Sequence, residues 1–213
     1  MKVEDSPEII GSVIATSSKQ MQQCLNHLSD AVTTIQLDVM DGIFVSQKSL
    51  LFKIPELPKT YQVEAHLMMQ NPLEWINEYH EMIDTAIIHI ESDISIPEAI
   101  ATLRKYDLSI GLAVGPSTPI DEVFSFMQHI DLILIFTADV MGGYGAQFNK
   151  DACSKITSLK KAYPNAIIEV DGGIDSQTIQ QLFAAGATRF VCGSYIQKND
   201  AHEAVANLYA QLD

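Results

Sequence analysis

Short runs of Ile, Val and Leu recur along the whole chain, and each is followed by a segment with apolar residues at helical spacing. The runs lie at 9–15, 33–37, 62–67, 86–90, 109–114, 132–136, 166–170 and 189–192. Several are apolar on both faces, as parallel strands covered by helices must be. The helical patterns fall between them, at 17–28, 72–82, 97–106, 119–130, 150–163, 176–185 and 201–212. Pro72, Pro97 and Pro119 stand where a first-turn proline is tolerated. Asp175 or Ser176 is placed to cap the segment after Gly173. The crossover at 42–58 is weakly helical and reads as irregular. Eight strands alternating with helices in 213 residues predict a single (β/α)8 barrel over 1–213, with a doubly wound open sheet as the runner-up.

A barrel of this kind places chemistry at the carboxyl ends of its strands. Two strand-like runs end in acids, Ile35-Gln36-Leu37-Asp38-Val39-Met40-Asp41-Gly42 and Ile167-Ile168-Glu169-Val170-Asp171-Gly172-Gly173. Carboxylates at the end of a buried strand are costly unless they pair, coordinate or catalyse. Gln36 and Asp38 face the same way, because side chains alternate along a strand. On a barrel, Asp38, His66 and Asp171 converge, and mixed imidazole and carboxylate donors suit zinc, iron(II) or manganese(II). Taken singly, each is a hydrogen-bonded strand end, and for His66 alone that reading is the better one. His89 and Glu91 admit two readings, a pair that orients a ligand or a structural pair.

Three glycine-bearing ends are candidates for phosphate or substrate contacts. Gly172-Gly173 precedes a helical segment, and Gly193-Ser194 follows the last strand. Barrels of this class bind phosphate with backbone amides after the last two strands. Gly142-Gly143-Tyr144-Gly145 reads either as a closing lid or as an ordinary loop. Met40, Met68 and Met141 lie beside these ends and are most simply core filler.

The net charge of −14 argues against non-specific binding to nucleic acid or an anionic membrane, but not against an anionic substrate. Three cysteines without a CxxC pair, an acidic N-terminus and the lack of a bilayer-length apolar run predict a cytoplasmic protein.

Together these segments resemble the ribulose-phosphate 3-epimerase family. The matching stretches are 37–45, Ala65-His66-Leu67-Met68, His89-Ile90-Glu91, Gly115-Pro116-Ser117-Thr118-Pro119, Val170-Asp171-Gly172-Gly173-Ile174 and Gly193-Ser194, with Ser12 at the end of the first strand. The resemblance implies a homo-oligomeric epimerase acting on a ketose phosphate, most simply D-ribulose 5-phosphate. Asp38 and Asp171 would be its acid–base pair, with Ser12 near them. A divalent ion (zinc, iron, manganese or magnesium) would be held by the residues at positions 36, 38, 66 and 171. The amides of Gly172, Gly173, Gly193 and Ser194 would hold the phosphate. His66, Met40, Met68, Gly142, Gly143 and Gly145 would contact substrate, the methionines as an apolar wall that keeps water from an enediolate. The chain departs from the family at Gln36, where a histidine is usual, and in the segment 139–147, which lacks the usual proline. These departures motivate three alternatives: a non-catalytic sugar-phosphate-binding barrel, a degenerate paralogue, or an epimerase for a hexulose phosphate. A related lyase or decarboxylase ranks low, because Asp38-Val39-Met40-Asp41 lacks the lysine of the Asp-x-Lys-x-x-Asp pattern.

Overall fold

The computed structural model describes residues 6–142, 145 and 147–212. Eight parallel strands close into a barrel. They are β1 (Glu8–Val13), β2 (Thr34–Asp41), β4 (Gln62–Met68), β5 (Thr85–His89), β6 (Ser109–Val114), β7 (Leu132–Phe136), β8 (Ile167–Asp171) and β9 (Arg189–Val191). β1 closes the ring by pairing with both β2 (Gly11↔Ile35) and β9 (Ile9↔Phe190). A two-residue strand, β3 (Lys48–Ser49), runs antiparallel to the end of β2. It lies in the crossover read as irregular, which contains no helix.

The helices are α1 (Ser18–Leu28), α2 (Leu73–Tyr79), α3 (Ile96–Lys105), α4 (Asp151–Ala162), α5 (Ile179–Ala185), α6 (Gly193–Gln197) and α7 (Ala201–Tyr209). Ser17, Ser95 and Asp200 cap α1, α3 and α7 by accepting from backbone N–H groups of the first turn. The expected helix at 119–130 is instead a 3-10 helix over Ile120–Phe126, in which only Val123 is buried. One buried anchor gives little apolar area to hold a longer helix on the barrel. Asp175 does act as a cap, but of a turn: its Oδ1 accepts from Gln177 and Thr178, so α5 starts later than expected. The five-residue α6 was not anticipated, since so short a segment shows no helical period.

Between sheet and helices lies one large apolar core that includes Leu28, Ile35, Leu67, Ile76, Ile135, Leu159 and Phe190. Inside the barrel the filling is uneven. Ile87, Ala113, Leu132 and Leu134 form an apolar patch on one side. The other side is polar, built from Gln36, Glu64 and Glu169, all of them buried, with Arg189. Arg189 donates to Glu169 (Nε, 2.8 Å), to Glu64 (Nη2, 2.6 Å) and through Nη1 to Glu8. Its neighbours in register are Glu8 on β1 and Glu169 on β8, so the guanidinium sits between strands that each offer it a carboxylate.

Candidate active site

Alternation along β2 turns Gln36 and Asp38 into the barrel, and the register pairs Asp38 with His66 on β4. His66 Nδ1 lies 3.3 Å from Asp38 Oδ1 and 3.1 Å from Asp171 Oδ2 at the end of β8. The imidazole therefore stands between two carboxylates that come from opposite ends of the sequence. Ser12, at the end of β1, hydrogen-bonds to Asp38. On its other edge His66 Nε2 meets His89 Nε2 at 2.8 Å. His89 Nδ1 in turn meets Glu91 Oε2 at 2.9 Å, and Glu91 Oε1 accepts from the backbone N–H of Gly115 at 2.8 Å.

The electrostatics follow from this geometry. Burial, with the charge of Asp171 beside it, raises Asp38 to about 6. Burial alone would lower His66, but the hydrogen bonds and charges of Asp171 and Asp38 outweigh it and raise the ring to about 10. Burial lowers His89. Glu91 is held down at about 2: burial opposes this, but the hydrogen bond from His89 and the N–H of Gly115 prevail.

A cleft opens at the pair and is lined by Ser12, Asp38, Met68 and Asp171. Gly142, Gly145, Gly172, Gly173, Gly193 and Ser194 line it too. The acid pair and the glycine amides therefore face one space. Gly172 has φ +106°, and a Cβ there would lie 2.9 Å from the Ala138 side chain, so only glycine fits this turn comfortably. Met40 packs with Val45 and Met68, against Ile14, Phe44 and Met141, as a small apolar cluster separate from the main core. Met40 is not among the cleft-lining residues. The base of the 139–147 segment is a hairpin-like closure, with Ala138 bridged to Phe148 and Asp139 N–H donating to Gln147. Gly142 packs against Val45 and Gln47 of the loop after β2. Gly143 lies outside the described residues.

Gln36 has a place of its own. Its amide Nε2 donates to Glu64 (3.1 Å) and to Glu169 (2.9 Å), so both hydrogens are spent on the polar side of the barrel interior. Its Oε1 is buried and has no hydrogen-bond partner. The ligand atoms of Asp38, His66 and Asp171 lie within 4.8 Å of one another. Two carboxylates and an imidazole at that spacing, with an orphaned carbonyl on the adjoining inward position, fit a divalent cation. Asp41, which the sequence groups with Asp38, does different work. It accepts from the N–H groups of Ile43, Phe44 and Gln70 and so shapes the loop after β2.

Sequence reasoning missed Glu64, Glu169 and Arg189 as a set. The signal was present, since each is a charged residue within or at the start of a strand-like run. What the runs could not show is that one guanidinium meets three carboxylates from three strands.

A model of the ribulose-phosphate 3-epimerase family matches residues 8–197. The chain belongs to the ribulose-phosphate 3-epimerase family. The match spans every candidate residue from Ser12 to Ser194. Among curated relatives, the ribulose-phosphate 3-epimerase of Treponema pallidum is 30% identical, with 90% of this chain and 92% of the relative covered. That of Eremothecium gossypii is 27% identical over 89% of this chain and 86% of its own length. Solved structures share the barrel at far lower identity. The 3-hexulose-6-phosphate synthase of Salmonella typhimurium superposes with TM-score 0.72 at 15% identity, covering 96% of this chain and 98% of its own. The 3-keto-L-gulonate-6-phosphate decarboxylase of Vibrio cholerae gives TM-score 0.71 at 11% identity, with 98% of each chain covered. At such identity the likeness concerns the fold alone. Among the described residues of this epimerase-family chain, no helix is long and apolar enough to cross a membrane.

Proposed function

We propose that this chain epimerises a ketose phosphate at C3, converting D-ribulose 5-phosphate to D-xylulose 5-phosphate. The observation that carries the reading is the pairing of Asp38 and Asp171 across His66, in one cleft with the glycine amides of the β8 and β9 ends. Epimerisation needs a base on one face of a carbon and an acid on the other. Two carboxyls from different strands supply that arrangement, and an Asp38 raised to about 6 exchanges a proton near neutral pH. One aspartate removes the C3 proton and the other returns a proton to the opposite face.

The amides of Gly172, Gly173, Gly193 and Ser194 hold the substrate's phosphate, since backbone N–H groups bind an anion without a lysine. Ser12 holds the Asp38 carboxyl in place. Met68 and Ile14 give the cleft an apolar wall that excludes water, with Met40 and Val45 packed in the same cluster. Gly142 and Gly145 border the cleft from the 139–147 segment. Asp38, His66 and Asp171 are the residues that would hold a divalent cation, with Gln36 Oε1 as the further donor. Such a cation would supply Lewis-acid stabilisation of the negative charge that develops on the substrate's oxygens.

The test is deuterium incorporation at C3 of D-ribulose 5-phosphate in heavy water, run with manganese, iron(II), zinc and magnesium in turn. Exchange that disappears in Asp38→Asn supports the acid–base assignment. Lack of exchange with every metal would sink it and leave a sugar-phosphate-binding barrel, or another ketose phosphate, as the reading.

A further inference from the structure

We propose that His89 and Glu91 form a positioning device that fixes which nitrogen of His66 carries its hydrogen. The proposal rests on the reading of Asp38, His66 and Asp171 as the reaction centre, and it concerns hydrogen placement rather than charge. His66 and His89 meet nitrogen to nitrogen at 2.8 Å, so one hydrogen lies between them. Its owner is decided from the far end of the chain.

Glu91 spends both oxygens as acceptors. Oε1 takes the Gly115 N–H and Oε2 faces His89 Nδ1, while the Thr118 hydroxyl adds a further hydrogen bond. The turn that carries Gly115 is itself clamped. Lys155 Nζ donates to the carbonyls of Gly115, Pro116 and Thr118 at 2.9, 2.7 and 2.7 Å. Glu91 therefore has no freedom to rotate away, and a carboxylate can only accept. His89 must present Nδ1–H to it. His89 is buried away from water and its one hydrogen is committed to Glu91, so its Nε2 offers only a lone pair. The hydrogen between the rings belongs to His66 Nε2.

The consequence lies at the other edge of His66. With Nε2–H fixed, Nδ1 is the nitrogen left to face Asp38 and Asp171. Its lone pair is then available to a cation, or it carries a second hydrogen when none is bound. A ligating histidine commonly donates its other N–H to a carboxylate or carbonyl. Here the acceptor is a second imidazole whose own tautomer is set by a carboxylate. Phe44 packs over His89 with ring centroids 4.8 Å apart, which limits rotation of that ring.

Glu91→Gln tests this, because it removes one acceptor without changing shape. The single amide oxygen is claimed by the clamped Gly115 N–H, so the NH2 group faces His89 Nδ1. His89 must then move its hydrogen to Nε2 and donate to His66. His66 is left with its hydrogen on Nδ1, facing the aspartates. Two-bond proton–nitrogen correlation spectra of the metal-free wild-type protein should show His89 protonated on Nδ1 and bare on Nε2. Glu91→Gln should reverse that pattern and weaken manganese binding by calorimetry about 10–100-fold, the usual range for losing such an orienting partner. His89→Phe should weaken it similarly, and His89→Gln, whose amide oxygen can accept from His66, should restore most of it. A wild-type His89 protonated on Nε2 would overturn the proposal, whether or not any variant folds. So would wild-type manganese affinity in folded Glu91→Gln. Neither readout needs turnover, so failure of C3 exchange alongside the expected spectra would count against the epimerase reading and not against this one.

Discussion

Three strands of the barrel each carry two inward polar residues two positions apart, and the layers they form have opposite characters. Gln36, Glu64 and Glu169 make the lower layer, and Asp38, His66 and Asp171 the upper. The lower layer is closed. Arg189 meets Glu64 and Glu169, the Gln36 amide bridges the same two carboxyls, and Glu8 completes the set. The upper layer has no guanidinium. One imidazole serves two carboxylates, and the cleft opens above them. The same strands thus supply a buried charge cluster that satisfies itself and another that leaves acceptors for a ligand. Buried carboxyls alone do not make a site; what distinguishes the upper layer is the open cleft above a single imidazole, where the lower layer has a guanidinium.

The sharpest way to break the comparison is to alter the open layer alone. Asp171→Asn keeps the shape but removes one acid–base group. Catalysed exchange at C3 should fall by about 10²–10⁴-fold, the usual contribution of a positioned acid or base, while the far-UV circular dichroism stays that of the wild type. Retained exchange would contradict the role given to Asp171.

The closed layer should answer in stability. Arg189→Met leaves Glu8, Glu64 and Glu169 without their cation. Breaking a buried ion pair by removing one partner costs about 3–5 kcal/mol. Burial and the charge of Glu169 already push Glu64 well above the usual carboxylate range, and burial raises Glu169 too. Without Arg189 both would hold protons more tightly still, so the deficit should be smallest in acid and grow as pH rises. A variant with unchanged urea midpoint at neutral pH would show that the cluster contributes no stability.

The upper layer, with Glu91 beyond it, adds a pH dependence of its own. His66 is raised from 6.5 to about 10, so its contribution to stability is complete below 6.5 and is lost as pH climbs to 10. Asp38 is raised from 3.8 to about 6, so stability is lost as pH rises across that window. Glu91 is lowered from 4.5 to about 2, so its contribution is present above 4.5 and disappears as pH falls toward 2. The metal-free protein should therefore melt highest in mildly acidic solution. Its melting temperature should fall in two steps toward alkaline pH, the His66 step being the larger because its shift is larger. His66→Gln should remove the upper step. If that step persists in the variant, another group is responsible.

Much of this was legible in the chain itself. Parallel strands buried on both faces leave near-continuous Ile, Val and Leu runs, so the barrel and its strand ends could be read directly. Asp38, His66 and Asp171 stood out because charge at the end of such a run is costly. The helix expected at 119–130 failed because periodicity does not count how many of its apolar residues reach the core, and only Val123 does. The His66–His89–Glu91 chain and the Arg189 cage were beyond reach for another reason. Both depend on which side chains meet across strands distant in sequence, and strand register is not written in any one segment.

Gln36 closes the lower layer with one end of its amide and leaves the other end unpaired, and its substitution should give the smallest effect. Its two amide hydrogens close the lower layer, and its carbonyl oxygen is left without a partner. Gln36→His would keep a donor for one of the two carboxyls and lose the other, at a cost of about 1–3 kcal/mol for the group left unpaired. The same change replaces a carbonyl oxygen by an imidazole nitrogen, which zinc and iron bind more readily. If the orphaned oxygen faces a cation held by Asp38, His66 and Asp171, the variant should gain zinc or iron affinity by titration calorimetry and gain exchange rate while losing some resistance to urea. Loss of stability with unchanged metal affinity would assign Gln36 to the closed layer alone. The upper layer would then work with three ligands, and the separation between the two layers would be complete.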